Sequence, residues 1–138
     1  MTTQNKTITR RAFEEVWNRE NPRALKELYA EGYVGHGPVG DIRGPDEFLK
    51  YLSEFRQAFP DLTFKVEDQI AEEDKVATRW SARGTHKGEF QGISPTGKQC
   101  DASGITIFQI IDGKVIEDWG DWDRLGLMQQ LGVIPEPS

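Results

Sequence analysis

Apolar residues in the first part of the chain recur at the three-to-four spacing of helices lying on a core. Ile8, Ala12, Phe13, Val16 and Trp17 form one stripe, with Arg10, Arg11, Glu14 and Glu15 on the other side. Asn21-Pro22 reads as a cap followed by proline at the first helical position, and Leu25, Leu28 and Tyr29 form a second stripe that stops near Gly32. The stretch from Gly32 to Gly40 is rich in glycine and reads as an irregular loop. Gly44-Pro45-Asp46 then starts a third helix, in which Phe48, Leu49, Leu52, Phe55 and Phe59 face one way until Pro60 ends it.

After Pro60 the period changes to two. Leu62, Phe64 and Val66 alternate with Thr63, Lys65 and Glu67, and Glu72-Glu73-Asp74 turns the chain. Val76, Thr78, Trp80 and Ala82 then oppose Ala77, Arg79, Ser81 and Arg83 on a second long strand ending near Gly84-Thr85-His86. A turn-rich segment spans Gly92 to Gly97, followed by a β-branched and apolar run from Ser103 to Ile111. Asp112-Gly113 closes a hairpin onto Val115 to Trp119, and apolar residues at 125, 127, 128 and 131 indicate a short closing helix. Helices first and a meander of strands afterwards predict an α+β fold. Its curved, cone-shaped antiparallel sheet carries the N-terminal helices on its concave face, around an interior suited to a small ligand.

The length of 138 residues reads as one domain spanning 1–138, with 1–5 and 134–138 as loose tails. A net charge of −6 without a lysine-arginine cluster argues against nucleic acid, and no run approaches the ~20 apolar residues of a membrane span. The lone Cys100 cannot form an internal disulfide, which suits a cytoplasmic setting. Two histidines 50 residues apart, with no cysteine partner, lack the spacing of a zinc site. Neither a Gly-x-Ser-x-Gly nucleophile turn nor a phosphate-cradling glycine loop is present.

The candidate chemistry concentrates where the last strand gives way to the closing helix. There Asp121 and Asp123 alternate with Trp119 and Trp122, and a carboxylate against large apolar rings has its pKa raised toward the range useful for proton transfer. Asp123 also stands where a helix N-cap belongs. In an extended backbone Asp121 points the same way as Trp119 and Asp123. His36, in the glycine-rich loop, can share a proton with a carboxylate or bond a carbonyl, whereas His86 at a strand end suits turn stabilisation or ligand contact. Arg79 sits on a strand that reads as central, so burial would demand a carboxylate partner, and the sequence leaves open which strand face is inside. Gln109 interrupts an apolar strand, at the pocket or at an exposed edge. Trp17 and Tyr33 are aromatic candidates for core or pocket lining.

Several ordered words join this pattern: Phe59-Pro60-Asp61, Gly84-Thr85-His86-x-Gly88, Gly92-Ile93-x-Pro95-Thr96-Gly97, Asp112-Gly113-Lys114-Val115-x-Glu117-x-Trp119, and Asp123 with Gln130-Leu131-Gly132. Together, over roughly Trp17 to Gly132, they resemble the SnoaL-like polyketide cyclase family of the nuclear-transport-factor-2-like fold. The resemblance implies an intramolecular aldol ring closure of a polyketide ester by an acidic residue at the end of the last strand, without metal or organic cofactor. It places the family's aspartate best at Asp123, with Asp121 as the alternative; His36 is taken as the assisting residue from its own chemistry. It also implies a small hydrophobic carbonyl compound as ligand and a homodimer formed through the outer sheet face. Many relatives carry histidine just before the tryptophan; here that position is Asp118. The same fold hosts isomerases, dehydratases, epoxide hydrolases and proteins without known catalysis. Two alternatives therefore stand beside the cyclase: a non-catalytic small-molecule binder, and a hydrolase or isomerase built on an Asp-Arg-Asp arrangement around Arg79.

Overall fold

The computed structural model describes residues 2–38 and 40–135. Helix α1 (Thr2–Arg11) runs into a π-helical turn (Ala12–Trp17), followed by α2 (Pro22–Leu28), strands β1 (Tyr29–Gly37) and β2 (Gly40–Arg43), and α3 (Gly44–Ala58). Four long strands come next: β3 (Thr63–Glu72), β4 (Lys75–Thr85), β5 (Gln99–Ile111) and β6 (Lys114–Trp122), before α4 (Arg124–Gln130) closes the fold. The six strands form one curved, unclosed sheet in the order β2-β1-β6-β5-β4-β3. All neighbours are antiparallel except β1 and β6, which run parallel.

Local chemistry explains most of the boundaries. The Asn21 side chain accepts from the backbone N–H groups of Arg23 and Ala24, with Pro22 in the first helical turn. The Arg43 backbone N–H donates to Glu47 Oε1 at 2.9 Å, capping α3 from within its first turn. Asp112 and Gly113 both take positive φ, 52° and 78°, as the two-residue turn between β5 and β6 demands. The π-helical turn is held at its end by Asn18, whose backbone N–H donates to Phe13 at 2.9 Å. The Asn18 side chain then pairs with the backbone of Phe64 in both directions, at 2.9 and 2.7 Å, fixing the first helices to edge strand β3.

Three expectations need correction. The segment Gly32 to Gly40 is mostly strand: β1 continues to Gly37 and β2 begins at Gly40, while Val39 lies outside the described residues. Within it Gly35 is required because Tyr33 and Asp118 crowd its inner side. Tyr29 opens β1 rather than ending α2. Thr2 to Asn5 belong to α1 instead of forming a loose tail; at the other end Ile134 and Pro135 follow α4, and residues 136–138, like Met1, lie outside the described residues. No helix of the described residues is long and apolar enough to cross a membrane.

Strand parity sorts the side chains. On β4, Val76, Thr78, Trp80 and Ala82 are buried beneath the helices, whereas Lys75, Arg79 and Arg83 are exposed. On β6, Asp118 is buried, while Trp119 and Asp121 turn outward. The core unites Phe13 and Val16 of the π-helical turn with Phe48 and Leu52 of α3, Phe108 and Ile110 of β5, and Leu127 of α4.

Candidate active site

Between the concave face and the helices lies a cavity of about 140 Å³. Aromatic rings form much of its wall: Phe13 and Trp17 from the π-helical turn, Phe48, Tyr51 and Phe55 from α3, and Trp80, Phe108 and Trp122 from the sheet. The rings brace one another. Trp17 meets Phe48, Tyr51 and Phe55 edge-on at centroid distances of 5.6 to 6.1 Å, and Phe13 meets Phe108 at 5.9 Å.

Two aspartates border this space: Asp101 is exposed and accepts from Arg83 Nε at 2.9 Å, whereas Asp118 is only 8% exposed. The Tyr33 hydroxyl donates to both its oxygens, at 3.0 and 2.9 Å. Burial pushes the Asp118 pKa up to about 7, against the lowering effects of the Tyr33 hydrogen bond and the nearby His36; Glu117 adds a smaller upward push. Desolvation wins because, among the described residues, no cation forms an ion pair with the carboxylate. Its charge acts back on the surrounding phenols. Burial first, then Asp118, raises Tyr29 and Tyr33 well above the ordinary range and Tyr51 to about 12, so all three stay protonated donors. Gly35, directly opposite Asp118 on β1, makes the contact possible. A Cβ there would lie 2.2 Å from the Tyr33 hydroxyl oxygen and 3.0 Å from Asp118 Oδ1.

The buried carboxylate of the cavity wall is therefore neither of those favoured by sequence. Asp121 is exposed on the outer face of β6, because β6 runs on to Trp122 and parity sends residues 119 and 121 outward. Asp123 is exposed and caps α4, accepting from the Gly126 backbone N–H at 2.9 Å, an interaction worth ~1 kcal/mol. Arg79 is exposed on the outer face beside Asp68 and Ile105, so no Asp-Arg-Asp arrangement forms inside. Gln109 also leaves the cavity and donates to Asp74 at 3.0 Å across the adjacent hairpin. Trp119 is 38% exposed, with Lys75 Nζ 5.7 Å from its ring centre. His86 is fully buried outside the cavity wall: it packs on Phe59, and its Nδ1 accepts from the Thr96 backbone N–H at 3.2 Å, holding the loop before β5.

Trp17 and Tyr33 do lie on the cavity wall; His36 borders it, but its ring turns to the outer face with Trp119. The His36 ring nitrogens, however, are taken by Asp41 at 2.8 Å and Glu117 at 2.7 Å, and the ring stacks on Trp119 at 5.7 Å. The Glu117 and Asp41 contacts raise the His36 pKa, favouring imidazolium. Asp118 had a usable signal: it shares parity with Gly120 and Trp122, and on that face it is the only acid. Cys100 also lines the cavity, where burial raises its thiol pKa and so disfavours thiolate.

A six-stranded cone closed by helices, with one desolvated carboxylate among aromatic rings, defines a small-molecule protein of the nuclear-transport-factor-2-like class. Within that class, the SnoaL-like polyketide cyclase family model matches residues 7–131, and the chain belongs to this family. It is 32% identical over 108 residues to the aklanonic acid methyl ester cyclase DnrD of Streptomyces peucetius, covering 77% of this chain and 72% of DnrD. The aklanonic acid methyl ester cyclase AcmA of Streptomyces galilaeus is 32% identical over 123 residues, covering 86% of this chain and 84% of AcmA. Among solved structures, IdmH of Streptomyces antibioticus, proposed to be a polyketide cyclase, superposes with a TM-score of 0.84 at 32% identity, covering 94% of this chain and 99% of IdmH.

Proposed function

We propose that this protein closes a ring in a hydrophobic polyketide-type ester by an intramolecular aldol reaction, with Asp118 as acid and base. The ionised carboxylate removes a proton from a carbon flanked by carbonyl groups. The resulting enolate carbon attacks a second carbonyl of the same molecule, forming the new carbon–carbon bond. The alkoxide so produced recovers the proton from the Asp118 carboxylic acid. Nothing is oxidised or reduced, and the sequence of steps calls for no cofactor. The observation that carries this reading is a buried carboxylate, poised near pH 7 by desolvation, in a cavity lined by many aromatic rings. A base whose pKa lies near the working pH combines sufficient ionisation with sufficient driving force. The names of DnrD and AcmA support the substrate class.

The test is turnover of aklanonic acid methyl ester and related polycyclic esters by wild type and by Asp118→Asn. The variant should lose about 10²–10⁴-fold in kcat while retaining its fold and its ligand affinity. Undiminished turnover by Asp118→Asn would end the proposal, and tight binding with no turnover by wild type would favour a carrier role instead.

We further propose that a second copy of the chain covers the outer sheet face. Paired positions Ile70, Ala77, Ile107 and Trp119 form a row across four strands, with Ile105 in the next row, and Ile70 is 70% and Ile105 51% exposed. Apolar side chains so grouped are what an isologous interface buries. Light scattering should give a dimer for wild type and a monomer for Ile107→Lys; a monomeric wild type at micromolar concentration contradicts this.

A further inference from the structure

The cavity wall carries a second polar feature, on β5. Thr106 points inward, and Trp80 Nε1–H donates to its Oγ1 at 3.0 Å. Two glycines keep this contact open. Gly104, the pairing partner of Trp80, lies under the indole: a Cβ there would be 2.5 Å from Trp80 Cζ2. Gly120, the pairing partner of Thr106 on β6, is also bare, and a Cβ there would be 3.2 Å from Thr106 Oγ1. The chain thus leaves two adjacent inward positions without side chains, one beneath the Trp80 ring and one beside the threonine.

An indole N–H only donates, so the threonine oxygen is the acceptor and its own hydrogen is left over. No acceptor among the described residues takes that hydrogen. Thr106 is β-branched and its oxygen is already tied to Trp80, which restricts where the hydroxyl sits. The Tyr33 hydroxyl, by contrast, is committed to Asp118. A donor left over on an aromatic wall needs an oxygen from the cavity's contents, since a buried polar group without a partner is costly.

We propose that the Thr106 hydroxyl, oriented by Trp80, is the donor that receives a carbonyl oxygen of the ligand and so selects ketones over hydrocarbons of the same shape. This rests on reading the cavity as the carbonyl-binding site. Gly120 stands between Thr106 and Asp118: it pairs with Thr106 across the strands and is two residues from Asp118 on the same inward face. An oxygen held there acquires negative charge when the neighbouring carbon loses its proton, and a donor already in place stabilises that charge. Thr106 therefore acts in both binding and rate.

The experiment compares binding of 9-fluorenone and fluorene, flat ligands that differ in one carbonyl group, by titration calorimetry. Wild type should prefer the ketone. Thr106→Val, which keeps the shape and removes the hydroxyl, should weaken fluorenone about three- to tenfold, the size of one neutral hydrogen bond, and leave fluorene within about twofold. Thr106→Ser should restore the preference, which separates loss of the hydroxyl from a packing defect. Asp118→Asn should keep the ketone preference even where it abolishes turnover, so the donor and the acid-base proposal fail independently. The inference is overturned if wild type shows no ketone preference, if Thr106→Val keeps it, or if Thr106→Val weakens both ligands alike.

Discussion

The two faces of the sheet use the same kinds of side chain to opposite effect. On the concave face Asp118 accepts from the Tyr33 hydroxyl beside a largely aromatic cavity, and burial holds its pKa near 7. On the convex face Asp41 and Glu117 flank the His36 imidazole in a half-exposed cluster stacked on Trp119, and it is the imidazole whose proton affinity is raised. Gly35, opposite Asp118, and His36, opposite Trp119, are consecutive on β1, and the strand's alternation sends them to opposite faces. Hydration decides the difference: where water and counter-charges remain, carboxylates stay charged and pair, and where both are removed the carboxylate becomes a titrating group at neutral pH. Only the second arrangement is matched to abstracting a proton from carbon.

The largest way to break this contrast is to fill the gap beneath Asp118. Gly35→Ala forces a Cβ against the Tyr33 hydroxyl and Asp118, so the pair must separate or the strand must shift. About 1–3 kcal/mol of stability should be lost, read by denaturant unfolding, along with most of the activity. Tyr33→Phe sharpens the contrast. The Tyr33 hydrogen bond lowers the Asp118 pKa, so removing it raises that pKa, and because the ionised form is the base, the rising limb of kcat against pH should move to higher pH. An unmoved limb would show that Tyr33 does not hold the ionised state. The smallest effect belongs to His36→Asn. The lost positive charge should nudge the same limb upward and change turnover by less than about threefold, since the ring's nitrogens serve the convex face. A loss of 100-fold there would return His36 to the chemistry.

Much of the architecture was legible because it depends on neighbours in sequence. Asn21-Pro22, Gly44-Pro45, Pro60 and Asp112-Gly113 mark their boundaries by local backbone chemistry, and the change of period after Pro60 separates helices from meander. The family words likewise follow the order of the chain. The site was harder to read because it depends on contacts distant in sequence. Gly35 pairs with Asp118 in the one parallel register of the sheet, a contact across 83 residues that no local pattern encodes. Gly35, which accommodates Tyr33 and Asp118, looks in sequence like the glycine of a loop. Isoleucines 105 and 107 face outward, reversing the usual reading of an apolar strand, and this hid which side of β5 and β6 was the interior. The resemblance pointed to the end of the last strand and to Asp123, whose visible task is to cap α4, whereas the buried carboxylate on that strand is Asp118.

The measurement closest to the central claim is the titration of Asp118 itself, followed by the carboxyl carbon resonance of aspartate-labelled protein with Asp118→Asn to assign the signal. A midpoint near 7 is predicted. A midpoint near 4, the ordinary value for aspartate, would mean that the carboxylate is hydrated after all, and would contradict the account.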